Sequence, residues 1–99
     1  MNNPEDIRYF WAKTLGVSGP QWLILMALTD FDRGEDVTVD VVARMLNVAP
    51  SFVSTQSKML EKRGFVRRTI SRVDARAVQI SLTDKSYEHM ANLASSGKP

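Results

Sequence analysis

Two arginines lie in a short segment that has the position of a turn before a strand. The segment SRVDARAVQISLT, residues 71–83, places Arg72 and Arg76 on either side of Asp74. Turns usually contain Gly, Asn or Pro, so guanidinium groups here indicate binding: they can contact phosphates or enter a narrow minor groove, where negative potential is concentrated. Asp74 is expected to hold an arginine in place through a charge-assisted hydrogen bond.

A second set of polar residues follows Pro50 at helical spacing. It lies on one side of a helix predicted over residues 50–63 and consists of Ser51, Ser54, Thr55 and Lys58. Short polar side chains let a helix enter a major groove closely, where hydroxyls reach phosphates or base edges and a lysine reaches a phosphate or a guanine. The alternative is that serine and threonine simply cover an exposed face. Because residues 39–46 and 50–63 are predicted as two helices joined by about three residues, which is typical of a helix-turn-helix, the groove interpretation is favoured.

The opposite side of this helix is expected to pack on the core. Its apolar residues are Phe52, Val53, Met59 and Leu60. Gln56 interrupts that side, so we expect either that its amide pairs with a backbone group or that the helix is rotated from this estimate.

The positive charge is concentrated in one stretch of the chain. The net charge is only +2, but residues 58–76 contain seven basic and two acidic residues, a charge of +5. The other 80 residues contain six basic and nine acidic ones, a charge of −3. One basic zone on an otherwise acidic chain indicates a polyanion as partner, although a solvated charged face explains such a cluster equally well. Arg67 and Arg68 alternate across a strand, so only one is expected to face the partner.

Other classes of chemistry lack the residues they require. The 99-residue chain has no Cys and a single His, His89, which excludes disulfides, thiolate catalysis and multi-His metal sites. The acidic loop DFDRGED, residues 30–36, lacks the spacing of a calcium loop, and no glycine-rich phosphate loop is present. We therefore expect one domain that is not an enzyme and binds no metal or cofactor. No membrane-spanning apolar run and no signal-peptide profile are present, so a cytoplasmic location is expected.

Five helices and a hairpin are predicted to position the polar residues. The helices cover residues 3–15, the segment from Ser18 through WLILMAL, and residues 39–46, 50–63 and 83–95; the strands are FVRRTI and VQISL. The segment WLILMAL is apolar on every side and should be the buried centre. Each helix begins at a recognisable signal: Asn3-Pro4, the capping box of Ser18 and Gln21, Thr38, Pro50 and Thr83. The fold class is mainly α with a small β-hairpin, a winged helix-turn-helix of about five helices and a two- or three-stranded wing.

From about Val17 to Ala91, the sequence resembles the MarR family of bacterial winged-helix transcription regulators. The resemblance lies in SGPQWLILMAL, in TVDVVARMLNVAPSFVSTQSKMLEKRGFV, and in the D-x-R motif of Asp74-Ala75-Arg76 followed by VQISLTDKS. It implies a homodimer that binds a pseudo-palindromic operator in double-stranded DNA, usually as a repressor. Many members of the family release DNA when a small phenolic or other anionic compound binds, so an effector is implied as well.

The sequence also departs from the family. We expect a short form without the usual long terminal helices, and Gln56 and Ser57 occupy positions where the family usually has an apolar residue. A dimer is still expected, through two apolar stripes: Ile7, Phe10, Trp11 and Tyr87, Met90, Ala94. The alternative is that both stripes cover the chain's own core. The alternative function is a winged helix that serves as a protein-interaction module in a larger assembly.

Overall fold

The computed structural model describes residues 16–31 and 35–96, and side chains as far as Asn92. Within these residues the chain forms four helices and one hairpin. In chain order they are α1 (Gly19–Thr29), α2 (Val39–Leu46), α3 (Pro50–Lys62), β1 (Val66–Ile70), β2 (Val78–Leu82) and α4 (Asp84–Ser96). This confirms the predicted winged helix-turn-helix class. The predicted helix over 3–15, with its stripe of Ile7, Phe10 and Trp11, lies outside the described residues.

Helix α1 is the buried centre of the fold, as predicted. The Ser18 hydroxyl accepts a hydrogen bond from the Gln21 N–H at 3.2 Å, and the Gln21 side chain accepts one from the Ser18 N–H at 3.1 Å. This capping box satisfies two donors that the first turn of a helix otherwise leaves free. The apolar residues of α1 then contribute the largest share of the core, with Trp22, Ile24, Leu25, Ala27 and Leu28 all buried.

Helices α2 and α3 are joined by a three-residue turn. Thr38 caps α2, its hydroxyl accepting from the Val41 N–H at 3.3 Å. Asn47 ends α2 in the left-handed conformation, with φ of 58°, a geometry that asparagine tolerates better than most residues. The Val48 N–H then donates to the Ala43 carbonyl at 3.0 Å. The turn therefore closes on itself and fixes the start of α3 relative to α2.

The face that α3 buries differs from the predicted one. Val53, Ser57 and Leu60 are fully buried, whereas Phe52 and Met59 are 38% and 49% exposed, so the prediction that these two pack on the core was wrong. The reason is a rotation of the helix that places a serine inward. Ser57 can be buried because its hydroxyl donates to the Ser54 carbonyl at 3.0 Å, which satisfies the polar group within the helix.

Gln56, which interrupts the apolar side of α3, has a hydrogen-bonding partner on α1. Its side-chain oxygen accepts a hydrogen bond from the Gln21 side-chain amide at 3.0 Å. The partner is therefore a side chain of α1, not a backbone group, and the helix is also rotated. The bond links the capping box of α1 to α3.

The hairpin forms the predicted wing. Strand β1 pairs antiparallel with β2, in a register that runs from Val66 opposite Leu82 to Ile70 opposite Val78. A short third segment joins the sheet, because Thr38 bridges to Gln79 and the Ile80 N–H donates to the Val37 carbonyl at 2.8 Å. The sheet is thus attached directly to the residues that precede α2.

Helix α4 docks on the end of the wing nearest the core. The Thr83 hydroxyl accepts from the Ser86 N–H at 3.2 Å and donates to the Gly64 carbonyl at 2.6 Å. Tyr87 and Met90 are half-buried against the chain's own core, which favours the alternative interpretation for these two members of the expected dimer stripe. Ala91 is exposed, and the Ala94 side chain lies outside the described part.

The rotation of α3 predicts unequal effects of truncating two adjacent residues. Leu60→Ala should lower the free energy of unfolding by about 2–5 kcal/mol, because it leaves a cavity in the core. Met59→Ala, the matched control, should lower it by less than about 1 kcal/mol, because half of that side chain is already in water. Urea unfolding followed by circular dichroism measures both; equal losses of stability would contradict the observed rotation.

Candidate nucleic-acid interface

The outward side of α3 is polar. Ser51, Thr55 and Lys58 are exposed and Ser54 is half-buried. They lie opposite the buried stripe of Val53, Ser57 and Leu60, so the packing of that stripe directs them to the surface. The structure thus brings all four helix residues of the predicted site to one face of α3.

Arg68 connects the wing to this helix. One terminal nitrogen of its guanidinium donates to the Ser54 hydroxyl at 3.2 Å, and its backbone N–H donates to the Glu61 carboxylate at 3.1 Å. Arg68 is half-buried while Arg67 is exposed, so Arg68 is the member of the pair that faces α3. The sequence predicted that the two would differ but not which one would turn toward the helix. The available signal was the alternation with Val66, which is buried two residues earlier.

The tip of the wing is organised around Asp74. Its carboxylate accepts a hydrogen bond from the Arg76 N–H at 3.0 Å and lies 3.8 Å from the Arg76 Nε. The Arg76 side chain is 95% exposed and that of Asp74 56% exposed, so the ion pair itself adds little stability in water. The backbone contact is the stronger constraint. Asp74 therefore holds the peptide of Arg76 while the guanidinium extends into solvent.

Ser71 lies buried where the wing loop begins. Its hydroxyl accepts hydrogen bonds from the Val73 and Asp74 N–H groups, each at 3.1 Å, and donates to the Asp36 carboxylate. Neither residue of this contact was predicted from the sequence. Asp36 is the last residue of the acidic loop DFDRGED, and no local signal links it to a serine 35 positions later.

A cleft of about 240 Å³ separates the start of α3 from the wing. Its lining consists of Thr38, Val39, Asp40, Pro50, Ser51, Ser54, Arg76, Ala77 and Val78. Three predicted site residues, Ser51, Ser54 and Arg76, therefore meet at one opening. The other four, Thr55, Lys58, Arg72 and Asp74, do not line the cleft. All four are exposed, the first two on α3 and the last two on the wing.

Residues 16–31 and 35–96 form neither a cluster of metal ligands nor a membrane-spanning helix. In these ranges no three His, Cys, Asp or Glu side chains come together as metal ligands. Nor does any helix there have the length and apolarity needed to span a bilayer. His89 packs edge-on against the Phe65 ring, with centroids 5.7 Å apart, so it serves the packing of α4.

Comparison with known proteins identifies the family. The sequence profile of the MarR family matches residues 15–77, which is more than half of the chain. The chain belongs to the MarR family. The match includes α1, the helix-turn-helix and the wing through Asp74 and Arg76, so MarR membership rests on the same elements that form the cleft. No curated protein matches the chain in sequence.

Solved structures of the MarR fold are similar. A mutant of S. aureus MepR bound to an oligodeoxyribonucleotide superposes with a TM-score of 0.78 at 20% identity, over 92% of this chain and 65% of that one. Overoxidized AbfR bound to DNA superposes with a TM-score of 0.75 at 25% identity, over 93% of this chain and 68% of that one. YusO from Bacillus subtilis superposes with a TM-score of 0.74 at 25% identity, over 89% of this chain and 60% of that one. The chain thus spans roughly two thirds of the length of these proteins.

The geometry at the wing tip predicts a local effect of Asp74→Ala. Removal of the carboxylate should speed hydrogen exchange at the Arg76 amide by about twofold to tenfold, because a net hydrogen bond of about 0.5–1.4 kcal/mol is removed. The free energy of global unfolding should change by less than about 0.5 kcal/mol, because the residue is exposed. Glu88→Ala, an exposed acid on α4, is the control and should leave exchange at Arg76 unchanged. Equal exchange in all three proteins would refute the role assigned to Asp74.

Proposed function

We propose that the protein is a transcription regulator that binds double-stranded DNA in a sequence-specific manner. One observation carries the proposal: the polar face of α3 and the wing open on the same cleft, with Ser51 and Ser54 on one side and Arg76 on the other. The chain therefore offers hydrogen-bonding groups and a cation to one ligand at once. A duplex, which presents base edges and phosphates side by side, fits that pairing.

In this proposal α3 enters the major groove. Its 13 residues span about 20 Å, and the hydroxyl side chains of Ser51, Ser54 and Thr55 are short enough for close approach. Ser51, Ser54 and Thr55 would donate to phosphates or base edges, and Lys58 would reach a phosphate or a guanine. These hydroxyls supply contacts that depend on the base sequence.

The wing would contact the backbone or the adjacent minor groove. Arg72 and Arg76 are both exposed at the tip, where they can neutralise phosphates. Asp74 supports the loop through the Arg76 amide. The proposed DNA-binding residues are therefore those predicted from the sequence, with Asp74 in a supporting role.

Two structural relatives support this proposal. The MepR mutant was solved with an oligodeoxyribonucleotide and AbfR with DNA. Both superpose on more than nine tenths of this chain, so the elements described here have counterparts in proteins solved with DNA.

We further propose that the protein acts as a homodimer on a pseudo-palindromic operator and represses by excluding polymerase, in the bacterial cytoplasm. The residues proposed for the dimer contact are the segment 3–15 and the exposed side of α4, because Tyr87 and Met90 already pack on the chain's own core. The anionic small-molecule effector implied by the resemblance stays a prediction.

The proposed wing contacts predict a salt dependence. For duplex DNA, removing one phosphate-binding cation should flatten the log–log slope of affinity against salt by about 0.9. Arg76→Ala and Arg72→Ala should each weaken binding across all sequences and reduce the slope by about that amount. The measurement is fluorescence anisotropy on genomic fragments selected by the purified protein. Arg67→Ala, on the strand face turned away from α3, is the matched control and should change the slope much less.

Binding that shows no dependence on salt, or equal slopes for the wild type and all three variants, would refute the proposed interface. A stable monomer that ignores DNA would favour the protein-interaction module instead.

The dimer proposal predicts the spacing of half-sites. Footprints on selected fragments should show two protected half-sites about one helical turn apart, because two copies of α3 must lie on the same side of the duplex. Light scattering after size exclusion should give twice the mass of the chain. A single protected half-site bound by a monomer would contradict the dimer and leave the DNA contacts of one copy intact.

A further inference from the structure

We propose that Ser71 and Asp36 are positioning residues that hold the wing loop in the conformation its arginines need to contact phosphates. The inference rests on the proposed DNA binding and deepens it. It assigns a function to two residues that lie outside the predicted site and away from the cleft lining.

The Ser71 hydroxyl uses its hydrogen-bonding capacity on three partners. It accepts from the N–H groups of Val73 and Asp74, each at 3.1 Å, and donates to the Asp36 carboxylate. A serine hydroxyl offers one donor and two acceptor lone pairs, so all three are engaged. Ser71 is 6% exposed, and these bonds are therefore shielded from competing water.

The hydrogen bonds continue from Ser71 to the tip. The N–H of Asp74 donates to Ser71. The Asp74 carbonyl accepts a hydrogen bond from the Ala77 N–H at 2.9 Å, and the Asp74 carboxylate accepts one from the Arg76 N–H at 3.0 Å. The chain of hydrogen bonds thus runs from Ser71 through Asp74 to the peptide of Arg76. Loss of the Ser71 hydroxyl would loosen the peptide of Asp74 and, through Asp74, that of Arg76.

Asp36 anchors this chain of hydrogen bonds to the body of the protein. The next residue, Val37, is buried, and its carbonyl accepts the Ile80 N–H from β2 at 2.8 Å. The carboxylate that receives the Ser71 hydroxyl is therefore fixed to the sheet. A contact between residues 35 positions apart sets the loop relative to the start of α2.

The tip of the loop has no buried side chain. Residues 72–76 are all exposed, so no apolar packing holds them, and a loop of this kind samples many conformations unless hydrogen bonds fix it. If the loop became ordered only when it bound DNA, its loss of conformational entropy would oppose association and weaken binding. Ordering by Ser71 and Asp36 before binding avoids that penalty, and this is the function we assign to the pair.

A double-mutant cycle tests the assignment. Ser71→Ala is placed in the wild type and in the Arg72→Ala/Arg76→Ala background, and affinity is measured on a duplex fragment that the wild type binds at low salt. If Ser71 acts through the arginines, the variant should weaken binding by about threefold or more in the wild type and by less than about twofold without the arginines. It should also flatten the salt slope only when the arginines are present. Equal effects in both backgrounds would overturn the proposal.

A matched control separates this effect from general damage. Ser81→Ala makes the same deletion on β2, away from the loop, and should leave affinity and slope unchanged. If Ser71→Ala does not fold, Asp36→Ala takes its place in the cycle and is judged by the same criterion. Asp36→Asn, which keeps an acceptor for the Ser71 hydroxyl, should retain most of the affinity; a decrease as large as that of Asp36→Ala would overturn the hydrogen-bond mechanism.

Hydrogen exchange distinguishes the failure of this inference from failure of the proposed function. In the free protein, Ser71→Ala should speed exchange at the Arg76 amide, which Ser71 does not itself contact. Unchanged exchange there would overturn the positioning role even if the protein binds DNA. A wild type that binds no duplex would refute the proposed function, and faster exchange in the variant would then still support the ordering of the loop by Ser71.

Discussion

Helix α3 buries one narrow stripe and must therefore turn its opposite side to solvent. The stripe is Val53, Ser57 and Leu60, all fully buried. The serine within it is tolerated because its hydroxyl is satisfied by the Ser54 carbonyl one turn earlier, which avoids the free-energy penalty of an unpaired buried polar group. A bulkier residue at position 57 would have to displace its neighbours in a closely packed interior. The rotation of α3, and with it the polar surface that faces the cleft, depends on this packing.

The basic zone found in the sequence divides in the structure into cations that support the fold and cations that point into solvent. Arg63 donates to the Gly16 carbonyl, and its guanidinium lies 5.3 Å from the centre of the Phe65 ring. Arg68 reaches back to α3. Lys58, Arg72 and Arg76 remain exposed. Because α3, β1 and the wing follow one another in the chain, neighbouring elements carry the basic run, and only part of its charge lies on the polar face of α3 and at the wing tip.

Local features of the sequence were sufficient for most of the fold. Capping residues such as Ser18 and Thr38 and the alternation of β2 act over a few residues, so the helix starts and strands could be predicted. Gln56 left a rotation of α3 open, but the direction of the rotation could not be predicted, because burial of Ser57 depends on a hydroxyl hydrogen bond that hydrophobic periodicity does not register. The contact of Ser71 with Asp36 could not be predicted either, because it joins segments that are distant in the sequence and neither residue type indicates a buried position. The predicted site residues all lie on α3 or the wing, and Asp74 was predicted to hold an arginine, but the contact of Ser71 with Asp36 at the base of the wing loop was missed.

The bond from Arg68 to Ser54 has a consequence for which hydrogen-bonding groups α3 can discriminate. A cationic donor occupies one lone pair of the Ser54 oxygen, and its charge repels the hydroxyl proton toward the opposite side. In the proposed complex with a duplex, Ser54 would therefore keep its hydroxyl hydrogen for donation and have one lone pair fewer with which to accept. Purine N7, guanine O6, thymine O4 and phosphate oxygens match that polarity, whereas the amino groups of adenine and cytosine do not. A residue on the wing thereby sets the polarity of a residue on the helix.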